Sequence, residues 1–376
     1  MQERDTNLSL YVHIPFCVRK CLYCDFLSFC PGGDNEKEYF KALEHEIECC
    51  SEANSEFEVK SIFFGGGTPS FPDSSYICKT LEKIRESFHV SPDAEISIEA
   101  NPASAMSDKL KAFKAAGINR ISIGAQSLND EELRCLGRVH DSKMFFDTFD
   151  NARKAGFANI NVDVMSALPG QSFDSYMETL KKVLSLGPEH ISAYSLIVEE
   201  GTPFYDMDLD LPDEDTDRRM YHETKRILLE NGYHRYEISN YAQEKHECYH
   251  NKVYWTRGNY LGLGLGASSM VDNVRWKNTS DFGEYLKKDD IRRDEQKLSL
   301  QDQMEEYMFL GLRLVKGVSI SAFKENFSQD IYRVYGTIIE KYVSEKLLQI
   351  NEDYLSLTDI GLDVSNTVMA DFLLDK

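Results

Sequence analysis

Positive charge is in short supply in this chain of 376 residues: 42 Lys and Arg stand against 63 Asp and Glu, a formal net charge of −21 at pH 7. Nucleic-acid phosphates need Lys and Arg to neutralise them, so no nucleic-acid partner is expected. Long apolar runs are missing as well. No stretch approaches the ~18 apolar residues of a membrane span, and the first residues, Met1-Gln-Glu-Arg-Asp5, lack the apolar region of a signal peptide. A cytoplasmic protein without a transmembrane segment is expected. Cysteine is sparse too: nine residues, an odd number, argue against a disulfide scaffold. Cys30, Cys49, Cys50, Cys78, Cys135 and Cys248 share no spacing and read as reduced thiols. What is present is core material, 42% hydrophobic and 11% aromatic. The length suggests two domains, or one large α/β unit with an appendage.

The remaining cysteines, Cys17, Cys21 and Cys24, form C-V-R-K-C-L-Y-C, a C-x3-C-x2-C triplet entered from the apolar run Leu8 to Ile14. Three thiolates at this spacing can hold three corners of a [4Fe–4S] cube. Electron-transfer clusters use four protein thiolates, yet Asp25, Phe26, Leu27 and Ser28 follow with no fourth cysteine. A three-thiolate cluster leaves one iron open, as a catalytic metal site keeps a vacant position. S-adenosylmethionine could chelate that iron and be cleaved reductively to a radical. The rival is zinc, with His13 as a fourth ligand in H-x3-C-x3-C-x2-C. Its position on a strand before Pro15 would point His13 along the sheet instead.

Apolar strand-like runs at 10–14, 61–64, 95–99, 120–124, 161–165 and 191–196 alternate with amphipathic stretches at 36–50, 74–88, 107–116, 143–155, 172–186 and 213–231. Strict alternation implies a parallel sheet with helices outside. Six units predict an α/β fold: a partial, six-stranded TIM-like barrel with its site at the C-terminal ends of the strands. Residues 1–235 would form this core. Residues 236–297, rich in Tyr, Gly and Asn without helical periodicity through Lys288, read as a linker. Residues 298–376 read as a small C-terminal α+β winged-helix-like domain, with helices at 301–314, 319–327 and 330–344, a hairpin at 348–357 and a helix at 358–373.

Gly65-Gly66-Gly67-Thr68-Pro69 follows the second strand and lets backbone approach a ligand closely. No Gly-Lys-Ser/Thr follows, so it is not a P-loop. Its place suits the amino or carboxylate group of a methionine moiety. Glu99, Gln126 and Asp163 lie at the ends of successive strands, where a buried polar group needs a partner. Glu99 or Asp163 can accept from an amino group or ribose hydroxyls, and Arg138 can clamp a carboxylate bidentately. Taken singly, each is as readily a structural hydrogen bond; the series makes a site. His250-Asn-Lys-Val-Tyr-Trp255 is the other unusual string. Its histidine suits packing or haem iron, which histidine commonly ligates, and Cys248 is a second conceivable ligand. Gly262 to Ala267 lacks a βαβ context and reads as a backbone-approach loop facing the barrel mouth.

These residues together resemble the radical S-adenosylmethionine superfamily, in the group related to oxygen-independent coproporphyrinogen III oxidase. Tyr11 to Cys17, the cysteine triplet, Gly65 to Pro69, Ile98 to Pro102, Gly124 to Ser127, Arg138 and Leu168-Pro-Gly170 carry the resemblance. It implies that Cys17, Cys21 and Cys24 bind the cluster and that Tyr11, Gly66 and Glu99 contact S-adenosylmethionine. Tyr23, Gly67, Thr68, Gln126, Arg138 and Asp163 match positions of a second such site in the oxidase. Within the group, the haem-chaperone branch fits better. The oxidase has a cysteine where this chain has Phe26 and a longer segment before Tyr11, whereas His250 to Trp255 fits that branch's H-N-x-x-Y-W string. The resemblance thus implies haem contact at His250, and binding of haem or porphyrin with delivery to haem-acceptor proteins. The alternative is radical oxidative decarboxylation of coproporphyrinogen III in porphyrin biosynthesis, so enzymatic turnover stays open. A third reading is a zinc-stabilised barrel acting as a binding module.

Overall fold

The computed structural model describes residues 5–374. Strand β1 (Asn7–Ile14) leads to α1 (Asn35–Ala53), β2 (Glu58–Gly66), α2 (Ser74–Ser87), β3 (His89–Ala100), α3 (Ser107–Ala116) and β4 (Arg120–Gln126). Helices α4 (Asp130–Cys135) and α5 (Ser142–Lys154) precede β5 (Ile160–Ser166), α6 (Phe173–Ser185), β6 (His190–Ser195) and α7 (Glu214–Glu230). Local chemistry sets these boundaries. The side chains of Asp73, Asp141, Ser172 and Asp213 accept backbone N–H bonds at the starts of α2, α5, α6 and α7. Gly117, at φ 98°, closes α3 in the left-handed conformation.

β1 to β6 pair in parallel and in sequence order, giving the expected six-stranded partial barrel. Side chains alternate across it. Val12, Ile62, Ile98, Ile123, Val162 and Ile191 are buried in one cluster with Leu43, Leu81, Leu110, Phe145 and Leu180 of the helices. The opposite face is polar. It carries Ser9, Tyr11 and His13 on β1, Glu95, Ser97 and Glu99 on β3, Arg120, Ser122 and Gln126 on β4, and Asn161 and Asp163 on β5. Barrels of the TIM type fill this space with branched aliphatic residues; a polar lining makes it a chamber.

The stretch read as a linker is built into the sheet at both edges. β7 (His234–Arg235) and β8 (Asn240–Ala242) extend it beyond β6, and β8 pairs antiparallel with β6. α8 (Tyr249–Trp255) follows, so this region does contain a helix. β9 (Tyr260–Leu263) then adds in parallel to β1, and β10 (Ser268–Val271), β11 (Val274–Asn278), α9 (Phe282–Lys287) and β12 (Arg292–Lys297) complete a twelve-stranded sheet. Elements this short leave no measurable periodicity in the sequence, which is why the stretch looked irregular.

The C-terminal unit has its own core, with Phe323, Tyr335, Leu355, Val368 and Phe372 buried together. Its helices are α10 (Leu300–Gly311), α11 (Ile320–Phe327) and α12 (Ile331–Ser344). β13 (Val318–Ser319), β14 (Leu348–Asn351) and β15 (Tyr354–Leu357) form a small antiparallel sheet containing the expected hairpin. The expected terminal helix is broken at Val364 into α13 (Asp359–Asp363) and α14 (Ser365–Ala370). Glu306 of α10 joins the unit to the sheet, accepting from Arg257 Nε at 3.0 Å and facing Arg275 Nη1 at 2.8 Å. No described helix is long and apolar enough to cross a membrane.

Candidate cluster and cofactor site

The cysteine loop leaves β1 at Pro15 and is pinned at its base. Cys17 N donates to Phe29 O at 3.0 Å and Phe29 N to Pro15 O at 2.9 Å, so residues between them project as a closed loop. All three cysteines are free thiols. Cys17 Sγ lies 3.3 Å from Thr68 Oγ1, and Arg138 Nη1 lies 3.7 Å from Cys21 Sγ. Burial raises the thiol of Cys17 and pushes that of Cys24 up to about 11. Iron would offset that cost, because a coordinating thiol is deprotonated outright.

These donors fit a cluster better than zinc. One zinc would draw every thiolate to about 2.3 Å, whereas a cube spreads them over separate irons. His13 cannot complete a zinc site: its Nδ1 lies 3.0 Å from Tyr11 Oη and its Nε2 2.8 Å from Leu27 O.

Below the loop opens a cleft of about 370 Å³ running into the barrel chamber. Every residue implied for the cluster and S-adenosylmethionine except Tyr11 lines it: Cys17, Cys21, Tyr23, Cys24, Gly66, Gly67, Thr68, Glu99, Gln126, Arg138 and Asp163. Its size falls in the range of small-molecule sites. A somewhat larger hollow of about 440 Å³, between α1 and the β9–β12 edge, holds none of these residues.

Glu99 Oε2 accepts the backbone N–H of Gly66 at 3.1 Å. Gly66 sits at φ 108°, and a Cβ there would meet the His13 ring at 2.5 Å, so only glycine fits. Burial, with Asp163 nearby, pushes the Glu99 carboxyl up to about 8. Asp163 is also raised by burial, against hydrogen bonds from Asn161 and Ser122 at 2.6 and 3.1 Å. Two neighbouring carboxyls inclined to keep their protons form a site poised for a cationic ligand. Gln126 accepts from Tyr194 Oη at 3.0 Å and holds φ 63°. Strain of that kind at a strand end persists where the surroundings fix it. Arg138 donates from Nη2 to Gly124 O at 2.8 Å, which leaves part of its fork facing the cysteine loop. Tyr11 lies behind this wall, stacked on Phe63 with centroids 6.4 Å apart.

His250 is not at the mouth. It is 1% exposed inside the barrel wall, with Nδ1 2.8 Å from Ser61 Oγ and Nε2 2.8 Å from Tyr254 Oη. Its ring stacks on Phe63 at 5.1 Å, and burial with the Arg120 charge nearby takes its pKa down to about 3. Both nitrogens are engaged within the protein, and His250 does not line the cleft. Cys248 is equally buried, its Sγ 3.4 Å from Glu95 Oε1. Trp255 packs against Arg313, 4.2 Å from the ring, toward the C-terminal unit. The glycine-rich Gly262 to Ala267 packs between α1, where Gly264 N donates to Glu46 Oε2 at 2.9 Å, and Leu27 of the cysteine loop, which a Cβ on Gly266 would meet. The sequence string therefore builds a helix against the barrel wall: Glu95 accepts the Tyr249 and His250 amides at 2.9 and 3.1 Å.

Sequence reasoning missed the lower chamber. Arg120, Ser122, Asn161, Ser192 and Tyr194 all line the cleft. The signal was there in R-I-S-I-G-A-Q of β4 and I-N-V-D-V of β5, where polar residues recur at period two.

Comparison with known proteins agrees with this geometry. Residues 11–183 match the model of the radical SAM superfamily, and residues 298–364 that of the HemN C-terminal domain. The chain is 36% identical to the heme chaperone HemW of Lactococcus lactis, over 98% of this chain and 97% of that one. The chain belongs to the HemW family of radical SAM proteins. Its family members include the heme chaperone HemW of Bacillus subtilis, also 36% identical over 97% of this chain and 99% of that one. The mouse mitochondrial radical S-adenosyl methionine domain-containing protein 1 is 32% identical over 99% of this chain and 88% of its own. Among solved structures, the Escherichia coli coproporphyrinogen III oxidase HemN, a radical SAM enzyme, superposes with a TM-score of 0.87 at 25% identity, covering 98% of this chain and 91% of that one.

Proposed function

We propose that this HemW-family protein binds haem at the mouth of its barrel and passes it to acceptor proteins in the cytoplasm. In this reading Cys17, Cys21 and Cys24 hold a [4Fe–4S] cluster, and the cleft beneath holds S-adenosylmethionine. When bound, the two supply one-electron chemistry. The chain's own part is to bind and orient. Glu99 accepts from an ammonium group, and Gly66 and Gly67 let backbone approach the same moiety. Asp163 and Gln126 accept from hydroxyls in the same cleft, while Arg138 and Tyr23 border its loop side. Fixed partners already hold Glu99, Asp163 and Arg138 in place, so little ordering remains to be done on binding.

The observation that carries the chaperone reading is Phe26. It lines the cleft and is 62% exposed, an apolar face at the mouth where the resembling oxidase has a thiol. Val18, 53% exposed, lies on the same loop. A flat macrocycle could rest on such a surface, which would otherwise be an unfavourable exposure of an aromatic ring. The near full-length identity to proteins named as heme chaperones supports the same reading. The second reading is oxidative decarboxylation of coproporphyrinogen III, favoured by the retained Tyr23, Gln126, Arg138 and Asp163 lining the cleft. One preparation tests both. Anaerobically reconstituted protein should bind haem saturably near one per chain and leave coproporphyrinogen III unconverted with S-adenosylmethionine and reductant. Robust conversion without saturable haem binding would leave the oxidase in its place.

A further inference from the structure

The floor of the chamber holds a cation whose Nε meets no hydrogen-bond acceptor. Arg120 opens β4, is 2% exposed, and lines the cleft. Burial works against its charge, and Cys248, Glu95, Tyr236 and Asp163 outweigh that through space. Each carboxylate that could have paired with it is committed elsewhere: Glu95 to the α8 amides, Asp163 to Asn161 and Ser122, and Glu99 to Gly66 N.

A guanidinium keeps its proton in proteins, so burial cannot be relieved by neutralising it. Its charge is balanced through space, but a buried N–H donor still needs an acceptor, and leaving one unmet is unfavourable. The fork of an arginine matches the two oxygens of a carboxylate better than any other common group. Here that fork opens on a cleft rather than on packed side chains.

We infer that the chamber floor is a carboxylate-binding subsite anchored by Arg120. The carboxylate comes either from an arm of the ligand held above it or from a small free organic acid, and the chemistry of recognition is the same. The first source rests on the haem-binding reading, and the second does not.

Two arms of one experiment separate them. Thermal melts of the full chain are compared in propionate and in the isosteric, uncharged propionamide, for wild type and R120Q. Haem and its dimethyl ester are titrated into the same proteins. A melting temperature raised by propionate but not propionamide in wild type, and by neither in R120Q, supports the subsite with a free acid as its occupant. Haem affinity lowered tenfold or more both by esterification and by R120Q supports it with a ligand arm. The esterified ligand tests wild-type protein, so a folding defect in R120Q cannot decide the outcome. Identical responses to propionate and propionamide, together with indifference to esterification, would overturn the subsite. Should wild type bind no haem, the haem reading falls and the propionate arm still decides the subsite.

Discussion

Ser61 Oγ lies 2.8 Å from His250 Nδ1 and ties helix α8 to strand β2 across a chain separation of 189 residues. Ser61 also donates to Ser9 Oγ at 2.7 Å, so β1, β2 and α8 meet in one buried polar contact. Tyr254 holds the other imidazole nitrogen. The H-N-x-x-Y-W string thus shapes the chamber wall through Phe63, which both stacks on His250 and lines the cleft.

Replacing His250 with Ala should therefore lower stability before anything else. It strands the Tyr254 hydroxyl, at a cost of about 1–3 kcal/mol for an unsatisfied buried group, and leaves Ser61 with Ser9 alone. Denaturant unfolding should show the loss. Haem affinity, measured well below the unfolding midpoint, should change far less than loss of an iron ligand would require.

Glu99 should leave a mark on pH dependence. Its folded-state pKa of about 8 lies above the ordinary carboxyl value of 4.5, raised by burial first and by Asp163 second. The stabilising proton is fully bound below pH 4.5 and lost as pH rises through about 8, so this group makes stability fall across that window. E99Q cannot titrate and should flatten the difference. Melting curves of wild type and E99Q between pH 5 and 9 should diverge as pH rises.

The same carboxyl should release a proton when a cationic ligand arrives. Titration calorimetry of S-adenosylmethionine near pH 7, repeated in buffers of different ionisation enthalpy, should report proton release in wild type and less in E99Q.

Glu306 should couple the C-terminal unit to the sheet. It is 5% exposed and shared between Arg257 and Arg275, so E306A leaves Arg257 buried without its carboxylate. A destabilisation of about 3–5 kcal/mol is expected, read by chemical unfolding. A loss under 1 kcal/mol would mean that the pair does not hold the two units together.

The barrel was legible because its outward faces are apolar and its helices carry clear stops. Ile121 and Ile123 of β4 and the glycine after α3 give period and boundary directly. The cysteine triplet and Gly66 were legible because few other backbones need three thiols in one loop or a glycine against an imidazole. Arg120 was not, since one basic residue at a strand start is ordinary until the fold closes polar walls around it. The packing of His250 was not legible for a related reason: an imidazole beside Tyr and Trp reads alike whether it faces a porphyrin or packs on Phe63. Only the pairing of β9 with β1, which brings α8 against β2, distinguishes the two.

Substitution of the triplet should divide the cysteines sharply. C17A, C21A and C24A should each lose the cluster on anaerobic reconstitution, while C30A should keep it. Cys30 is exposed and its thiol is committed to Val18 O at 3.0 Å.

The most direct measurement is the EPR spectrum of the reduced, reconstituted protein with and without S-adenosylmethionine. Three thiolates over a cleft leave one iron open, so about four irons and four sulfides per chain are expected, with a spectrum that changes when the ligand is added. An unchanged spectrum, or stoichiometric zinc in place of iron, would contradict the open-iron site.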